Sequence, residues 1–400
     1  MTAAEIAKDI YWVGAVDWDR RDFHGYSLCP KGTTYNAFLL KDEKTTLVDT
    51  VSAEFAGQLL CNITQVVEPG QVDYIVVNHV EPDHSGALPR LVAATRPEKI
   101  FTSPMGLKVL KEYYDCQDWP LEVVGNDTTI SIGRRQLKFL ETRMLHWPDS
   151  MMTYVVEDKL LISSDAFGQN YASSERFADQ VDQAELWSQT ARYYANIVLP
   201  YSTVTLKILD EVAKLGWEVG MIAPDHGLLW RGDGVCQVLD AYGRYARQAP
   251  ANKAVVLYDS MWHATERMAG AIADGLVQAG VPVRLMSLKV NHHSDVMGEV
   301  FDAGAVLVGS ATHNNGVLPS VAGMLTYMKG LRPLNKIGTA FGSYGWSGEA
   351  LKHITAQMAE MGMEMIDGVR VKNAPKHEHL ATCAQLGRTV GQALKAKLAG

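Results

Sequence analysis

Val76-Val77-Asn78-His79-Val80-Glu81-Pro82-Asp83-His84-Ser85-Gly86 follows an apolar strand and precedes a helix, and it places two imidazoles and two carboxylates within six residues. Side chains alternate along a strand, so positions 79, 81 and 83 are expected to point one way at the strand's end. His84 sits beside Asp83 and joins that group only if the chain turns. A single Asp in such a place is commonly a helix cap; four ligand-type residues at this density point to a metal. Three more candidates close later strands. His146 follows Leu137–Glu141, Asp165 follows Leu160–Ser163 in Ser-Ser-Asp-Ala-Phe-Gly, and His226 follows Val219–Pro224 in Ala-Pro-Asp-His-Gly. Seven nitrogen and oxygen donors are too many for one tetrahedral ion and suit two metals.

Outward from this cluster, the first half of the chain reads as short strands with fewer helices. Apolar or β-branched runs fall at Ile10–Val16, Thr34–Leu40, Thr46–Asp49, Tyr74–Asn78, Lys99–Thr102, Thr129–Ile132, Met152–Glu157 and Leu160–Ser163, several with hairpin-type turns between them. Helical patterns lie at Ala53–Val67, Ser85–Thr95, Met105–Tyr114 and Glu185–Leu215, the last interrupted at Pro200. Helices among hairpins predict layers of helix on mixed sheet. Gln248–Lys253 is a polar, proline-containing linker, and beyond it strands and helices alternate strictly. Strands are expected at Ala254–Tyr258, Val281–Ser287, Ala305–Gly309, Lys336–Gly342 and Met363–Val371, with a helix after each. That rhythm predicts a doubly wound parallel sheet. The expected domains are 1–249 and 250–400.

Composition narrows the classes. The 400 residues are 47% hydrophobic and 20% charged, with net charge −8, which is ordinary globular composition. No basic run suggests nucleic acid or an anionic membrane. No apolar stretch is long enough to span a bilayer, and the first ten residues lack a signal-like apolar core, so a cytoplasmic location is expected. The five cysteines are scattered, with no C-x-x-C pair. A disulfide scaffold, a zinc ribbon or a cysteine-held iron–sulfur cluster is therefore disfavoured.

Three loops of the second half follow parallel strands, where doubly wound sheets bind ligands. Ser260-Met261-Trp262-His263-Ala264-Thr265 opens into a helix and suits a phosphate held by backbone N–H groups and the helix dipole. Neither GxGxxG nor GxxxxGK[ST] is present. Ser310-Ala311-Thr312-His313-Asn314-Asn315-Gly316 offers amides for the edge of a ring. Gly342-Ser343-Tyr344-Gly345-Trp346-Ser347-Gly348 offers Tyr344 or Trp346 for stacking on one. Phosphate, edge and stacking loops in this order resemble flavodoxins and imply FMN. The phosphate loop departs from the usual flavodoxin pattern at His263-Ala264.

The first half resembles the metallo-β-lactamase superfamily, whose usual cluster is H-x-H-x-D-H followed by a distant His, Asp and His. Here Glu81 stands at the second His, and a carboxylate there favours iron or manganese over zinc. The H-x-E-x-D-H cluster together with the flavodoxin-like half is similar to the flavodiiron proteins over about residues 5–395. The resemblance implies an αββα sandwich followed by the flavodoxin-like domain. It implies that His79, Glu81 and His146 bind one iron, that Asp83, His84 and His226 bind the other, and that Asp165 bridges them. It implies reduction of O₂ to water, of NO to N₂O, or both, with electrons relayed through FMN. It further implies a head-to-tail homodimer and an external donor such as a separate rubredoxin, because the chain's end lacks the cysteine pairs of a fused one. His24, Tyr193 and Tyr194 are candidates to donate protons or hydrogen bonds, although the sequence favours structural roles for them. A dizinc hydrolase and a purely electron-transferring module are the competing readings. Glu81 speaks against the first, and seven coherently spaced ligands against the second.

Overall fold

Phe38, Val48 and Val76 alternate along their strands with Leu39, Leu47, Ile75 and Val77, and all seven are buried. A sheet whose two faces are both covered has this pattern. The computed structural model of the protein describes residues 2–399. Two compact units form, one from the residues up to Gly25 with Cys29–Tyr193 and Thr203–Gly243, the other from Tyr26–Leu28, Tyr194–Ser202 and Arg244 onward.

The first unit holds two mixed sheets. The seven-stranded sheet runs Ala4–Ala7, Ile10–Trp12, Phe38–Leu40, Thr46–Val48, Tyr74–Val77, Lys99–Thr102, Leu121–Val123. The six-stranded sheet runs Thr129–Ser131, Gln136–Glu141, Met151–Val155, Leu160–Ile162, Met221–Ala223, Trp230–Arg231. Trp12, Phe38, Val48, Val76 and Phe101 of one pack with Phe139, Met151, Val155 and Ile162 of the other. The opposite face of the first sheet buries Leu39, Leu47, Ile75 and Ile100 against Leu59, Ile63, Leu88 and Leu91, which lie on the helices Ala56–Thr64 and Leu88–Thr95. On the second sheet's side, helices Gln183–Tyr193 and Asp233–Arg247 pack Trp187 against Trp230 and Tyr242 against Phe167, each pair with tilted rings. The layering is the αββα sandwich of the metallo-β-lactamase type.

The second unit has a parallel sheet in the order Val283–Ser287, Ala251–Tyr258, Ala303–Gly309, Ile337–Tyr344, Glu364–Met365. That is the 2-1-3-4-5 order of flavodoxin-like folds. Helices Ala264–Gln278 and His377–Ala399 cover one face through Met268, Ile272 and Leu276 and through Leu386, Val390 and Leu394. They approach so closely that a Cβ on Gly275 or Gly387 would collide with the other helix's backbone. Among the described residues no helix is long and apolar enough to cross a membrane.

Several elements differ from the sequence reading. The strands expected at Ile10–Val16 and Thr34–Leu40 both break, and their far halves, Ala15–Asp17 and Thr33–Tyr35, leave the main sheet as a separate ribbon. The break is forced at Gly14, where any side chain would meet the backbone of Tyr35 and Ala37, and at Asn36, which accepts from Trp12 Nε1 (2.7 Å) and donates to the Pro224 carbonyl (2.7 Å). Helix Asp233–Arg247 was not anticipated, and the strand after it starts at Ala251, inside the expected linker. The strand expected at Met363–Val371 splits into Glu364–Met365 and Val369–Lys372, and both pieces pair with Ile337–Tyr344. Gly368 lies against the carbonyl of Ala340 between them.

Candidate metal centre and flavin site

The strand carrying the first cluster ends at Val77, before His79, so strand alternation does not align positions 79, 81 and 83 as expected. Proline 82 instead starts a helical turn, Pro82–Ser85, since its fixed φ suits a first helical position. The turn swings Asp83 and His84 back toward His79 and Glu81. His84 therefore does join the group. Ser85 Oγ donates to the Val80 carbonyl (2.6 Å) and meets Tyr114 Oη (2.7 Å), which ties the turn down.

All seven predicted donors come together, sorted into two sets around Asp165. Asp165 Oδ2 lies 3.0 Å from His146 Nε2 and 3.4 Å from His79 Nε2. Glu81 Oε2 lies 3.1 Å from His79 Nε2 and 3.4 Å from His146 Nε2. The other oxygen, Asp165 Oδ1, lies 3.2 Å from His84 Nε2 and 3.4 Å from His226 Nε2. Asp83 Oδ2 is 3.4 Å and 3.2 Å from the same two nitrogens. Metal–ligand bonds of about 2.1 Å place neighbouring donor atoms roughly 3.0–3.4 Å apart, and these separations match. His79, Glu81, His146 and Asp165 form one group able to hold an ion, and Asp83, His84 and His226 a second.

The imidazoles are oriented from behind. His226 Nδ1 donates to the Thr34 carbonyl (2.6 Å), which leaves Nε2 with a free lone pair toward the cluster. His79 Nδ1 faces Asp149 Oδ2 (3.1 Å), an oxygen that also accepts from the Val80 amide (2.7 Å). His84 Nδ1 is 3.7 Å from Asp225 Oδ2. Such partners fix a ligand's tautomer and ring plane. Gly227 follows His226 at φ 81°, with Gln169 packed where a side chain would stand.

Burial opposes charge at Asp165, His79 and His146, but mutual contact outweighs it. Asp165 is buried, yet the nearby charge of His84 and the hydrogen bond from His146 hold it well below the usual carboxylate range. His79 is likewise buried, but Asp149 and Glu81 raise it well above its ordinary value. His146 rises to about 9 against its own desolvation, mainly through Asp165. Protons shared between imidazole and carboxylate are what a bound cation displaces. The donor set fits metal on a second count. Both oxygens of Asp83 and both ring nitrogens of His84 are buried without a hydrogen bond, a costly state unless a ligand satisfies them.

The three candidates for proton donation, Tyr193, His24 and Tyr194, part ways here. Tyr193 Oη donates to Asp165 Oδ1 (3.0 Å), and burial keeps the phenol well above its ordinary pKa, so it stays protonated. His24 Nε2 lies 2.8 Å from Glu81 Oε1. Both therefore reach the cluster, where the sequence had favoured structural roles. Tyr194 faces Ser202 Oγ (3.1 Å) instead. A cavity of ≈ 340 Å³ opens beside Glu81 and Asp83, walled by Phe23, His24 and Tyr35. Asp149 was missed by sequence reasoning; its only signal was its place three residues after His146.

In the second unit a cavity of ≈ 480 Å³ gathers all three predicted loops. Met261, Trp262 and Ala264 line it from the first, Thr312, Asn314 and Asn315 from the second, and Ser343, Tyr344, Gly345 and Trp346 from the third. Ala311, Ser347, Asn373 and Ala374, which had not been singled out, line it too. His313 and Gly316 exchange backbone bonds (3.0 and 2.9 Å) around Asn314 (φ 46°) and Asn315 (φ 59°). That tight turn is of the kind asparagine favours. Ser310 Oγ braces the same loop by accepting from the Leu318 amide (3.0 Å). Thr265 meets Ser343 Oγ (3.1 Å) beneath the first loop, and His263 turns outward to Glu266 (2.7 Å). Gly348 precedes helix Glu349–Glu360 and packs on Arg370. Ser260 Oγ is buried without a partner, as expected of a hydroxyl placed to donate to a phosphate.

Comparison with known proteins gives the family of both halves. A family model described as ODP family beta lactamase matches residues 33–227, and the flavodoxin model matches residues 256–387. The chain is 51% identical to the rubredoxin-oxygen oxidoreductase of Megalodesulfovibrio gigas, covering 100% of both chains. It is 45% identical to the nitric oxide reductase of Moorella thermoacetica, over 96% of this chain and 97% of that one. The crystal structure of the flavodiiron protein from Giardia intestinalis superposes with a TM-score of 0.95 at 34% identity, over 99% of this chain and 97% of the other. The chain belongs to the flavodiiron proteins, oxidoreductases that carry a non-haem diiron site and FMN.

Proposed function

We propose that the protein reduces O₂ to water, NO to N₂O, or both, at a diiron site, with electrons passed through FMN from an external donor such as rubredoxin. The observation that carries this reading is Asp165, whose two carboxylate oxygens each face a different trio of donors. His79, Glu81 and His146 would hold one iron, Asp83, His84 and His226 the other, and Asp165 would bridge them. Four imidazoles and three carboxylates, with no cysteine, suit iron. When bound, two ferrous ions and reduced FMN together supply the four electrons that O₂ reduction requires.

The chain's own residues prepare the chemistry. Asp149 and the Thr34 carbonyl hold the His79 and His226 rings in the plane their lone pairs need. The Tyr193 phenol keeps a proton at Asp165 Oδ1, and His24 Nε2 keeps one at Glu81 Oε1. Both proton donors thus bracket the bridging region, within hydrogen-bond reach of the groups that border it. Phe23 and Tyr35 wall the approach with apolar surface, which favours entry of a small uncharged gas.

We assign the diiron domain to residues 1–249 and the FMN domain to 250–400, in keeping with the two family matches. Ser260, Met261, Trp262, His263, Ala264 and Thr265 would serve the FMN phosphate, the loops at 310–316 and 343–348 its ring. Trp262 and Trp346, at the flavin cavity, are 87% and 91% exposed, which favours a second copy covering them, as in a head-to-tail homodimer in the cytoplasm. The test is metal and flavin content of anaerobically purified protein, followed by O₂ and NO consumption with reduced rubredoxin. About two irons and one FMN per chain with turnover of either gas are expected. Two zincs and no flavin would refute the reading, and so would unchanged turnover after Asp165→Ala.

A further inference from the structure

The loop that should receive the FMN phosphate begins with an acid. Asp259 follows strand Ala251–Tyr258 and is buried; its Oδ1 accepts from the Ser260 amide (2.6 Å) and its Oδ2 from Ser320 Oγ. The carboxylate is thus locked at the start of the loop proposed to take a dianionic phosphomonoester. Unopposed, two such charges repel strongly in a partly buried site. Among the described residues that line the flavin cavity there is no lysine or arginine. One cation does reach the loop, from the neighbouring strand. Lys289 lies in the turn after Val283–Ser287, and that turn is pinned by the Leu288 amide donating to the Tyr258 carbonyl (2.9 Å). Its Nζ donates to the Ser260 carbonyl and stands 3.7 Å from Asp259 Oδ1. The Ser260 hydroxyl above it is buried and unpartnered.

We propose that Lys289 is a positioning residue for the flavin phosphate: it offsets Asp259, holds the Ser260 backbone, and thereby makes the protein prefer FMN to unphosphorylated riboflavin. The inference rests on the FMN reading and adds to it the residue that makes an acidic phosphate loop compatible with a dianion. Lys289 acts at the phosphate end, because the groups its Nζ meets, the Ser260 carbonyl and Asp259 Oδ1, belong to that loop.

The test titrates full-length protein, stripped of flavin, with FMN and with riboflavin, following flavin fluorescence. Lys289→Met should weaken FMN binding about tenfold, the size of one partly exposed charge interaction, and leave riboflavin affinity unchanged. Lys289→Arg should restore most of the loss. Adding Asp259→Asn to Lys289→Met should also restore it, because the charge that needed offsetting is gone. The wild-type preference for FMN should shrink with added salt more than that of the Lys289→Met variant. Equal weakening of FMN and riboflavin would show that Lys289 merely shapes the loop and would overturn the proposal, as would no weakening at all. Wild-type protein that binds riboflavin as tightly as FMN would sink the FMN reading itself, and the proposal with it. Iron content, set by the other unit, serves as the control for folding.

Discussion

Asp149 offers the most discriminating test of how the metal centre is built. It binds no ion in the proposed arrangement, yet its Oδ2 takes both the His79 Nδ1 proton (3.1 Å) and the Val80 amide (2.7 Å), and all three residues are buried. Asp149→Ala orphans two buried donors, at about 1–3 kcal/mol each. Part of that appears as lower stability. The part specific to His79 should lower iron affinity by 10–100-fold, the usual range for loss of a histidine's supporting carboxylate, or about 1.4–2.8 kcal/mol. Asp149→Asn should cost less. Both bonds go to one oxygen, so an asparagine carbonyl can keep them, and only the charge is lost. Its amide nitrogen would then replace Oδ1, which has no hydrogen-bond partner, so some penalty remains. His79 belongs to only one trio, so a chelator titration should remove one iron per chain early and leave the second near its wild-type affinity. The assay is iron content against chelator concentration under anaerobic conditions, beside a thermal melt of each variant. Two irons held at wild-type affinity in Asp149→Ala, or both lost in parallel, would refute the argument.

Tyr193→Phe removes the donor to Asp165 Oδ1 while leaving every proposed ligand in place; iron and FMN content should hold while gas turnover falls roughly 100–10,000-fold, the usual contribution of a placed proton donor. Gly227→Ala forces a side chain into Gln169 at φ 81° and should destabilise by about 1–3 kcal/mol, read as a lower melting temperature and weaker iron at the His226 trio. Lys336 is buried with Nζ donating to the Phe301 carbonyl (2.8 Å), and burial pushes its pKa down from 10.5 to about 7. The folded state therefore binds fewer protons than the unfolded state between about pH 7 and pH 10.5, and stability should rise with pH across that window by up to about 1.4 kcal/mol per unit. Lys336→Met should abolish that increment; denaturant melts at pH 7, 8 and 9 that keep the same slope in the variant would contradict the assignment.

The second half was legible because strict alternation of strand and helix leaves few topologies, and the loops that follow its strands announce ligand chemistry by composition. The strand boundaries there hold to within a few residues, except at Met363–Val371, where an apolar run hides a break at Gly368. The first half was harder to read. Strands Thr46–Val48, Tyr74–Val77 and Lys99–Thr102 pair in parallel, because helices separate them along the chain. Leu121–Val123 continues the parallel run, whereas the strands on the other side, Ala4–Ala7, Ile10–Trp12 and Phe38–Leu40, pair antiparallel, and no local period distinguishes the two. The breaks at Gly14 and Asn36 were invisible because their cause is tertiary. One admits a neighbouring backbone, and the other reaches Pro224 some 188 residues away.

All the metal-binding candidates were legible as residue types, but their common orientation was inferred from the wrong local geometry. Strand alternation would have carried His79, Glu81 and Asp83 to one side and sent His84 to the other. Pro82 converts the same six residues into a loop followed by one helical turn, and only that conversion lets Asp83 and His84 join a different donor group from His79 and Glu81. A continuous strand would have built one crowded site. The turn builds two sites side by side, with Asp165 entering between them from another strand's end. The supporting residues were not legible, because a carboxylate such as Asp149 gains its meaning from a ring 70 residues away and has no spacing rule of its own. Ligands arrive in motifs because the chain must present several of them to one point; the groups that orient those ligands need only reach them individually, and the sequence is free to supply them from anywhere.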